Sequence, residues 1–247
     1  MLIKTDGLNK PINKLIDAAD MDKISYQLVS TGLQQTYSLL ENTRMPYSSH
    51  LQNMWTRHWE YATLTIESEV EANMRILDAG GTGTIFSYFL TLMKCEVYTV
   101  DIDEKKVTDA IALSRKLNLN INHLCQSITN LSFPDNYFDR VFSVCVIEHI
   151  EIYEEQIKAM QELSRVLHPG GILAMTYDYL AKDRKPPNIT GGCFFDPQEV
   201  KERLIIPSGL KVIGNSELYT QSKKFAGRAP HDEWGSIGSL FLYKPKL

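Results

Sequence analysis

Hydrophobic residues make up 43% of the 247-residue chain and charged residues 23%, the proportions of a globular protein rather than a disordered or fibrous one. The 26 basic and 30 acidic residues give a formal net charge of −4, which leaves no excess of positive charge for a nucleic-acid backbone. The four cysteines form no Cys-x-x-Cys pair, and no apolar run approaches the roughly 18 residues of a membrane-spanning helix. Since the first residues also lack the apolar core of a signal peptide, we expect a cytoplasmic protein with no metal site and no nucleic-acid or membrane partner.

Helical periodicity dominates the first part of the chain, residues 1–73. Its apolar positions recur at helical spacing within residues 12–16, 24–33 and 37–40. We expect this segment to form a helical lid over the rest of the chain and to offer a surface for a homodimer. Just before the first predicted strand, Arg57 and Tyr61 combine charge and aromatic character, and they are candidate contacts to a substrate.

Short apolar runs alternate with helical stretches over the remaining residues, 74–247. The runs typical of strands are 75–79, 96–100, 121–125, 140–147 and 172–177, and the helical stretches are 104–117 and 152–167. This alternation predicts βαβ units, and hence an α/β fold with a doubly wound, mostly parallel sheet and helices on both faces. Two further strand candidates, 210–213 and 239–243, are expected to pair antiparallel at one edge of the sheet.

A glycine-rich turn follows the first predicted strand, in the sequence ILDAGGTGT at 76–84. Glycine lets a backbone bend sharply and approach a ligand closely because it has no Cβ. The second predicted strand leads into Asp101, at a position where an acid accepts hydrogen bonds from ribose hydroxyls. The turn and the acid together predict a nucleoside ligand at this edge of the sheet.

The residues around the turn narrow the type of nucleoside. The dinucleotide fingerprint Gly-x-Gly-x-x-Gly is incomplete, because Phe86 stands at its third glycine position, and no Gly-Lys-Ser/Thr of a P-loop follows. Asp78, two residues before Gly80, favours a ligand with an amino or cationic group and would repel a pyrophosphate. An NAD(P)-dependent oxidoreductase is therefore retained only as an alternative.

Four segments carry a family resemblance in their order and spacing. They are ILDAGG at 76–81, VDID at 100–103, LSFPDNYFDRVFSVCVIEHI at 131–150 and LSRVLHPGGILAMTY at 163–177. In these segments the chain resembles the class I S-adenosylmethionine-dependent methyltransferases, in their small-molecule, type 11-like branch. The resemblance implies S-adenosylmethionine as cofactor and a Rossmann-like, seven-stranded sheet with an antiparallel last strand. It also implies a transferase that moves a methyl group to an O or N atom of a small-molecule acceptor.

The resemblance also assigns cofactor contacts by position. Asp78 would hold the ammonium group of the methionine part or a bridging water, and Asp101 would hold the ribose diol. Ile102 would cover one face of the adenine. The remaining assignments are Gly80, Gly81 and Gly83 in the turn beneath the methionine part, Ser127 and Ile128 at the adenine edge, and Cys145 with Val146 lining the methionine pocket.

This chain departs from the family pattern at two places. Thr82 and Thr84 occupy the second and third positions of the usual Gly-x-Gly-x-Gly turn, and β-branched residues resist a positive φ. We therefore expect either a locally different turn or glycines acting in a register shifted to Gly81 and Gly83. The usual acid at the adenine edge is Ser127, whose hydroxyl accepts fewer hydrogen bonds, which predicts weaker cofactor affinity. These departures leave a non-catalytic, cofactor-binding scaffold as a second alternative.

Three residues are candidates for handling a proton of the acceptor. His149 comes just after the fourth predicted strand, and imidazole titrates near neutrality; the alternative is that it only begins a helix. His231 stands beside two carboxylates between the last two strands, where the alternative is an exposed polar loop. Asp178 follows the fifth predicted strand and would orient an acceptor or cap the turn that follows.

Two basic stretches, 182–187 and 223–228, stand out in this acidic chain. Solvated loop charge is one explanation for them, and a small acceptor that carries negative charge is the functional alternative. No pattern in the sequence specifies the acceptor further.

Overall fold

The computed structural model describes residues 12–41, 55–180, 192–215 and 236–246. The helices in these ranges are α1 (Ile24–Leu40), α2 (Trp55–Glu67), α3 (Ile85–Leu92), α4 (Glu104–Lys116), α5 (Tyr153–Val166) and α6, which joins Pro197–Glu199, a π-helical part Val200–Ile205 and Ile206–Ser208. The strands are β1 (Arg75–Ala79), β2 (Glu96–Asp101), β3 (Ile121–Cys125), β4 (Phe138–Val144), β5 (Leu167–Tyr179), β6 (Lys211–Val212) and β7 (Ser236–Tyr243). None of the described helices is both long and apolar enough to cross a membrane.

The seven strands form one sheet in the order β3-β2-β1-β4-β5-β7-β6. Neighbours among β1 to β5 pair in parallel, whereas β7 runs antiparallel to both β5 and β6. The predicted doubly wound α/β fold with its antiparallel last strand is thereby confirmed. The direction of winding reverses between β1 and β4, and ligands of such sheets bind at the carboxyl ends of the strands beside this switch point.

Helix starts follow local capping chemistry. The side chain of Asp103 accepts hydrogen bonds from the backbone N–H groups of Lys105 and Lys106, which fixes the start of α4 directly behind β2. At the start of α6, Asp196 and Glu199 form a reciprocal capping box. These caps set where the chain turns at the ligand-binding edge of the sheet.

Two sequence-based boundaries are wrong for identifiable reasons. β4 was expected over 140–147 but ends at Val144, because Cys145 has a φ of 50° and leaves the extended conformation. Residues 12–16, expected to be helical, lie instead along β7: the N–H of Ile16 donates to the carbonyl of Ile237 at 2.8 Å. Since β6 pairs with only two residues of β7, the rest of that edge is open to this segment.

The two helices of the first part of the chain share the core of the sheet. Leu33 of α1 and Leu64 of α2 are fully buried in the same hydrophobic cluster as Ile76 of β1 and Phe142 of β4. The helices therefore cover one face of the sheet rather than standing apart from it. The division into a lid at 1–73 and a core at 74–247 stays a prediction.

Candidate active site

The glycine-rich turn after β1 takes positive φ at Gly80 (80°) and Gly83 (78°), where glycine meets no steric penalty. A Cβ at Gly80 would lie 2.6 Å from Val146, so the close approach of the β4 end also requires glycine there. A Cβ at Gly81 would collide with the carboxyl group of Asp78. Thr84, with a φ of −85°, is not strained. The turn thus differs locally from the Gly-x-Gly-x-Gly pattern, which is the first of the two arrangements expected from the sequence.

Thr82 anchors this turn through a buried chain of hydrogen bonds that sequence reasoning missed. Its hydroxyl donates to Oγ1 of Thr99 in β2 at 2.9 Å. Thr99 Oγ1 lies 2.7 Å from Nδ1 of His123, whose Nε2 lies 2.8 Å from Oγ of Ser114 in α4. Burial lowers the pKa of His123 to about 4, so the ring is neutral near pH 7. These hydrogen bonds connect the turn to β2, β3 and α4.

Asp78 lies beneath the turn with its side chain almost wholly buried. Its Oδ2 accepts a hydrogen bond from Oγ of Ser87 at 2.7 Å, whereas its Oδ1 has no partner among the described residues. Burial raises the pKa of this carboxyl to about 6. A buried oxygen without a donor is unfavourable, so Oδ1 is suited to receive an N–H from a ligand.

Asp101 occupies the end of β2, at the same edge of the sheet. One of its oxygens accepts the backbone N–H of Asp103 at 3.0 Å, and the other lies 3.7 Å from Nζ of Lys106. The next side chain, Ile102, is 76% exposed. The strand end therefore presents a fixed carboxylate beside an apolar surface.

The segment after β3 carries the residues predicted for the adenine edge. The hydroxyl of Ser127 lies 2.8 Å from that of Thr129 and accepts its backbone N–H at 3.2 Å, and Ile128 is buried. The side-chain nitrogen of Gln126 is buried and lacks a partner within the described part of the chain. Sequence reasoning missed this amide donor, although it stands next to Ser127.

Glu60, which forms an ion pair with Arg57 within α2, connects this helix to the ends of β4 and β5. Nη1 of Arg57 donates to both carboxylate oxygens of Glu60 at 3.1 and 2.9 Å, and Glu60 is fully buried. Glu60 Oε2 also accepts from Sγ of Cys145 at 3.2 Å and from Oγ1 of Thr176 at 2.7 Å. The carboxylate of Glu60 holds the pKa of Arg57 well above its usual range. These contacts place Arg57 and Cys145 in one cluster around Glu60, which sequence reasoning missed.

Glu148 and Asp178 form a second acidic cluster beside the first. Glu148 is fully buried, and its Oε1 accepts the backbone N–H of Asp178 at 3.1 Å. Its Oε2 has no partner among the described residues. Burial first, and then the charge of Asp178, raise the pKa of Glu148 to about 8. One carboxyl oxygen of each residue and Sγ of Cys145 lie within 4.8 Å of one another.

The remaining predicted site residues are Tyr61, His149 and His231. Tyr61 is buried and stacks on Phe86 at a ring-centroid distance of 4.7 Å, which fits a packing role. His149 is exposed on the one-turn helix after β4, where a Cβ at Gly192 would lie 3.3 Å from its Nδ1. His231 and the two basic stretches at 182–187 and 223–228 lie wholly or largely outside the described residues.

Comparisons with known proteins agree with this geometry. Residues 77–175 match the family model described as "Methyltransferase domain". Over 120 residues the chain is 36% identical to the ubiquinone/menaquinone biosynthesis C-methyltransferase UbiE of Ectopseudomonas oleovorans, covering 47% of this chain and 68% of that protein. The chain belongs to the class I S-adenosylmethionine-dependent methyltransferases. It falls in their type 11 branch, as the sequence segments implied.

Two more distant comparisons extend this methyltransferase relationship. "Probable tRNA methyltransferase 9B" of Mus musculus is 30% identical over 148 residues, which cover 60% of this chain and 30% of that protein. A solved S-adenosylmethionine-dependent methyltransferase from Aquifex aeolicus superposes with a TM-score of 0.53 at 23% identity, covering 74% of this chain and 88% of that chain, and so shares the fold. This chain thus spans less than a third of the length of the tRNA methyltransferase relative.

S-Adenosylmethionine is the cofactor of this methyltransferase family, and the turn fits it. The unpartnered Oδ1 of Asp78 offers an acceptor for the ammonium group, and the missing Cβ of Gly81 keeps the space over that carboxyl open. Asp101 offers the carboxylate that a ribose diol requires. A pyrophosphate beside the Asp78 carboxyl would be repelled, which disfavours the nicotinamide alternative.

Proposed function

We propose that the protein transfers a methyl group from S-adenosylmethionine to an O or N atom of a small-molecule acceptor. The observation that carries the proposal is the buried carboxyl of Asp78, which lies beneath the glycine turn at the sheet's switch point and has one oxygen without a hydrogen-bond partner among the described residues. That carboxyl, together with Asp101 one strand away, matches the cationic and ribose ends of this cofactor and of no dinucleotide. A binding scaffold without activity would retain the same pair, so activity needs its own test.

The chain's own residues would hold the cofactor as follows. Asp78 accepts from the ammonium group, Asp101 accepts from the ribose hydroxyls, and Ile102 covers one adenine face. Ser127 and Ile128 lie at the adenine edge, where the Gln126 amide adds a donor. When bound, the cofactor supplies an electrophilic methyl carbon and its own leaving group, so alignment by these contacts can provide much of the rate.

The acceptor would meet the methyl group beside the ends of β4 and β5. Val146 packs against Gly80, and Cys145 is held by Glu60, so both fix the methionine end of the site. His149 and Asp178 are the proposed groups for orienting the acceptor or taking its proton. Arg57 acts through Glu60, and Tyr61 through packing on Phe86.

A small acceptor is preferred to a nucleic acid because of charge. The chain carries a net charge of −4, and the described carboxyls at the ends of β4 and β5 would repel phosphate. The names of two relatives point to both kinds of acceptor, tRNA for one and a quinone-pathway small molecule for the other. The homodimer and the cytoplasmic location stay predictions.

The test is a transfer assay with tritiated methyl groups on S-adenosylmethionine. Purified protein is incubated with either a small-molecule filtrate of a cell extract or total tRNA, and labelled products are separated from the cofactor. We expect label in small molecules, and several-fold less when Asp101→Ala replaces the wild type at limiting cofactor. Label in tRNA alone would contradict the acceptor class, and no label in either pool would favour the scaffold.

A further inference from the structure

The strongest unexplained feature outside the cofactor contacts is the free oxygen of Glu148. This side chain is fully buried, and the backbone N–H of Asp178 fixes its Oε1 at 3.1 Å. Its Oε2 has no donor among the residues that the structure describes. Leaving a buried carboxyl oxygen unpaired is unfavourable, so a group that donates to it is missing from the ligand-free chain.

The position of this oxygen points to the acceptor rather than to the cofactor's ammonium or ribose. Glu148 follows β4, the strand next to β1, and Asp178 is the penultimate residue of β5, two strands from β1, whose following turn is proposed to hold the methionine part. Sγ of Cys145 and carboxyl oxygens of Glu148 and Asp178 lie within 4.8 Å of one another. The thiol of Cys145 already donates to Glu60, so it does not supply the donor that Glu148 lacks.

We propose that the methyl acceptor is an amine, and that its nitrogen donates a hydrogen bond to Oε2 of Glu148 beside the ends of β4 and β5. This inference rests on the proposed function and narrows its O or N acceptor to N. An amine fits because an ammonium group offers up to three donors and a positive charge, which suits two neighbouring carboxyls. Phosphate or carboxylate acceptors offer only oxygens and negative charge, so the anionic acceptor considered from sequence is disfavoured.

A divalent cation is a weaker explanation of the same cluster. The thiol of Cys145 donates to Glu60, and burial raises the pKa of Cys145 well above its usual range, which opposes the thiolate that a metal requires. The guanidinium of Arg57, paired with Glu60, also adds positive charge beside that thiol. An organic ammonium needs only the carboxyl oxygens and no thiolate, and its single charge is repelled by Arg57 less than that of a divalent ion.

The transfer step balances for an amine. Glu148 carries a proton near pH 7 in the ligand-free chain, since its pKa is about 8, and the charge of a bound ammonium ion favours release of that proton to the solvent. The ammonium ion then passes one of its own protons to the ionised carboxylate or to water. The freed lone pair then forms the new N–C bond to the methyl carbon, while the C–S bond breaks and its electron pair stays on sulfur. The products are an N-methylammonium ion and the neutral thioether.

The experiment uses Glu148→Gln in the full chain, with Glu154→Gln on the exposed start of α5 as the matched control. Glutamine keeps the acceptor for the N–H of Asp178 but turns an N–H₂ group toward the amine. A metabolite extract is divided by ion exchange into cationic, neutral and anionic pools before each is incubated with tritiated S-adenosylmethionine. We expect label only in products from the cationic pool, with at least about a tenfold lower rate for Glu148→Gln.

Two further readouts separate substrate binding from a structural role. The affinity of Glu148→Gln for S-adenosylhomocysteine, measured by calorimetry, is expected to match the wild type, and its melting temperature is not expected to fall, because the replaced oxygen has no partner. A full rate in Glu148→Gln, label only from the neutral or anionic pool, or Mn²⁺ binding that this substitution abolishes would each overturn the inference. Label from no pool would contradict the proposed function itself, and the inference with it.

Discussion

Asp78 shows how a single residue defines the cofactor end of this site. Its place two residues before Gly80 is visible in the sequence, and it already predicts a cationic ligand group. What only the structure shows is that Ser87 satisfies one oxygen and leaves the other unpaired in a buried position. That asymmetry supports the proposal that the carboxyl accepts a hydrogen bond from a ligand rather than only capping the turn.

Protonation of Asp78 gives the first prediction. Burial raises its pKa to about 6, so the carboxyl loses its charge as the pH falls below that value, and its attraction for an ammonium group falls with it. We expect calorimetry to show that affinity for S-adenosylhomocysteine decreases about tenfold between pH 7 and pH 5, since one proton competes with the ligand. Asp78→Asn should bind more weakly at pH 7 and lose this pH dependence. An equally steep dependence in Asp78→Asn would assign the titration to another group.

Asp101 gives the second prediction at this scale. Asp101→Ala removes the acceptor proposed for the ribose hydroxyls, and we expect cofactor binding to weaken by about 1–3 kcal/mol. Asp109→Ala, which removes an exposed carboxylate of α4 paired with Lys105, is the matched control and should leave affinity unchanged. Equal affinities of wild type and Asp101→Ala in calorimetry would show that the ribose lies elsewhere.

Among the elements, the turn after β1 is anchored by Thr82, at a position where the usual Gly-x-Gly-x-Gly pattern has glycine. Its hydroxyl begins the chain through Thr99 and His123 to Ser114, which spans two strands and a helix. Thr82→Val keeps the shape and removes the hydroxyl, so we expect a loss of about 1 kcal/mol in the free energy of unfolding. We also expect weaker binding of S-adenosylhomocysteine, because the turn beneath the methionine part loses its anchor. Thr82→Ser retains the hydroxyl and should restore both quantities; a Thr82→Val variant with wild-type stability and affinity would contradict the anchoring role.

The elements also show what sequence patterns can specify. β1 and β3 were predicted at the residues where they occur, because each is a short apolar run bounded by polar or turn residues. The end of β4 was misplaced because the left-handed φ of Cys145 accompanies a contact with Glu60, a residue far away in the chain. The segment 12–16 was misassigned because its partner is β7, at the opposite end of the chain. Local periodicity carries no information about such distant partners.

For the site, the acids and glycines could be predicted from the sequence, but their hydrogen-bond partners and burial could not. Asp78 and Asp101 follow from strand ends, which periodicity locates well. Glu60 could not be found in this way, since it lies in the middle of a helix among aromatic residues. Its hydrogen bonds with Cys145 and Thr176 form only when α2 packs against the ends of β4 and β5. Glu148 was visible beside His149, but its lack of a partner depends on burial by the whole fold.

At the scale of the whole molecule, the helices α1 and α2 are part of the core rather than an addition to it. Leu64 of α2 is fully buried against the sheet, whereas Leu28 of α1 is 68% exposed. We expect Leu64→Ala to lower the free energy of unfolding by about 2–5 kcal/mol in denaturant titrations. Leu28→Ala should change it by less than about 0.5 kcal/mol. Similar small losses in both variants would mean that α2 can detach from the sheet.

The same packing connects the helices to the chemistry. Arg57 and Glu60 of α2 reach the ends of β4 and β5, where Cys145 and Thr176 bind the carboxylate of Glu60. The first part of the chain therefore contributes a wall of the proposed acceptor site. A lid that opens and closes over the site would have to break the buried hydrogen bonds from Cys145 and Thr176 to Glu60, which favours a fixed wall.

The central claim is that this edge of the sheet binds S-adenosylmethionine. Calorimetric titration of the purified full chain with S-adenosylhomocysteine tests it most directly, because this product of methyl transfer carries the same ammonium and ribose groups and needs no acceptor. We expect one saturable site per chain that weakens in both Asp78→Asn and Asp101→Ala. Absence of binding at millimolar ligand, or binding that neither substitution affects, would contradict the account.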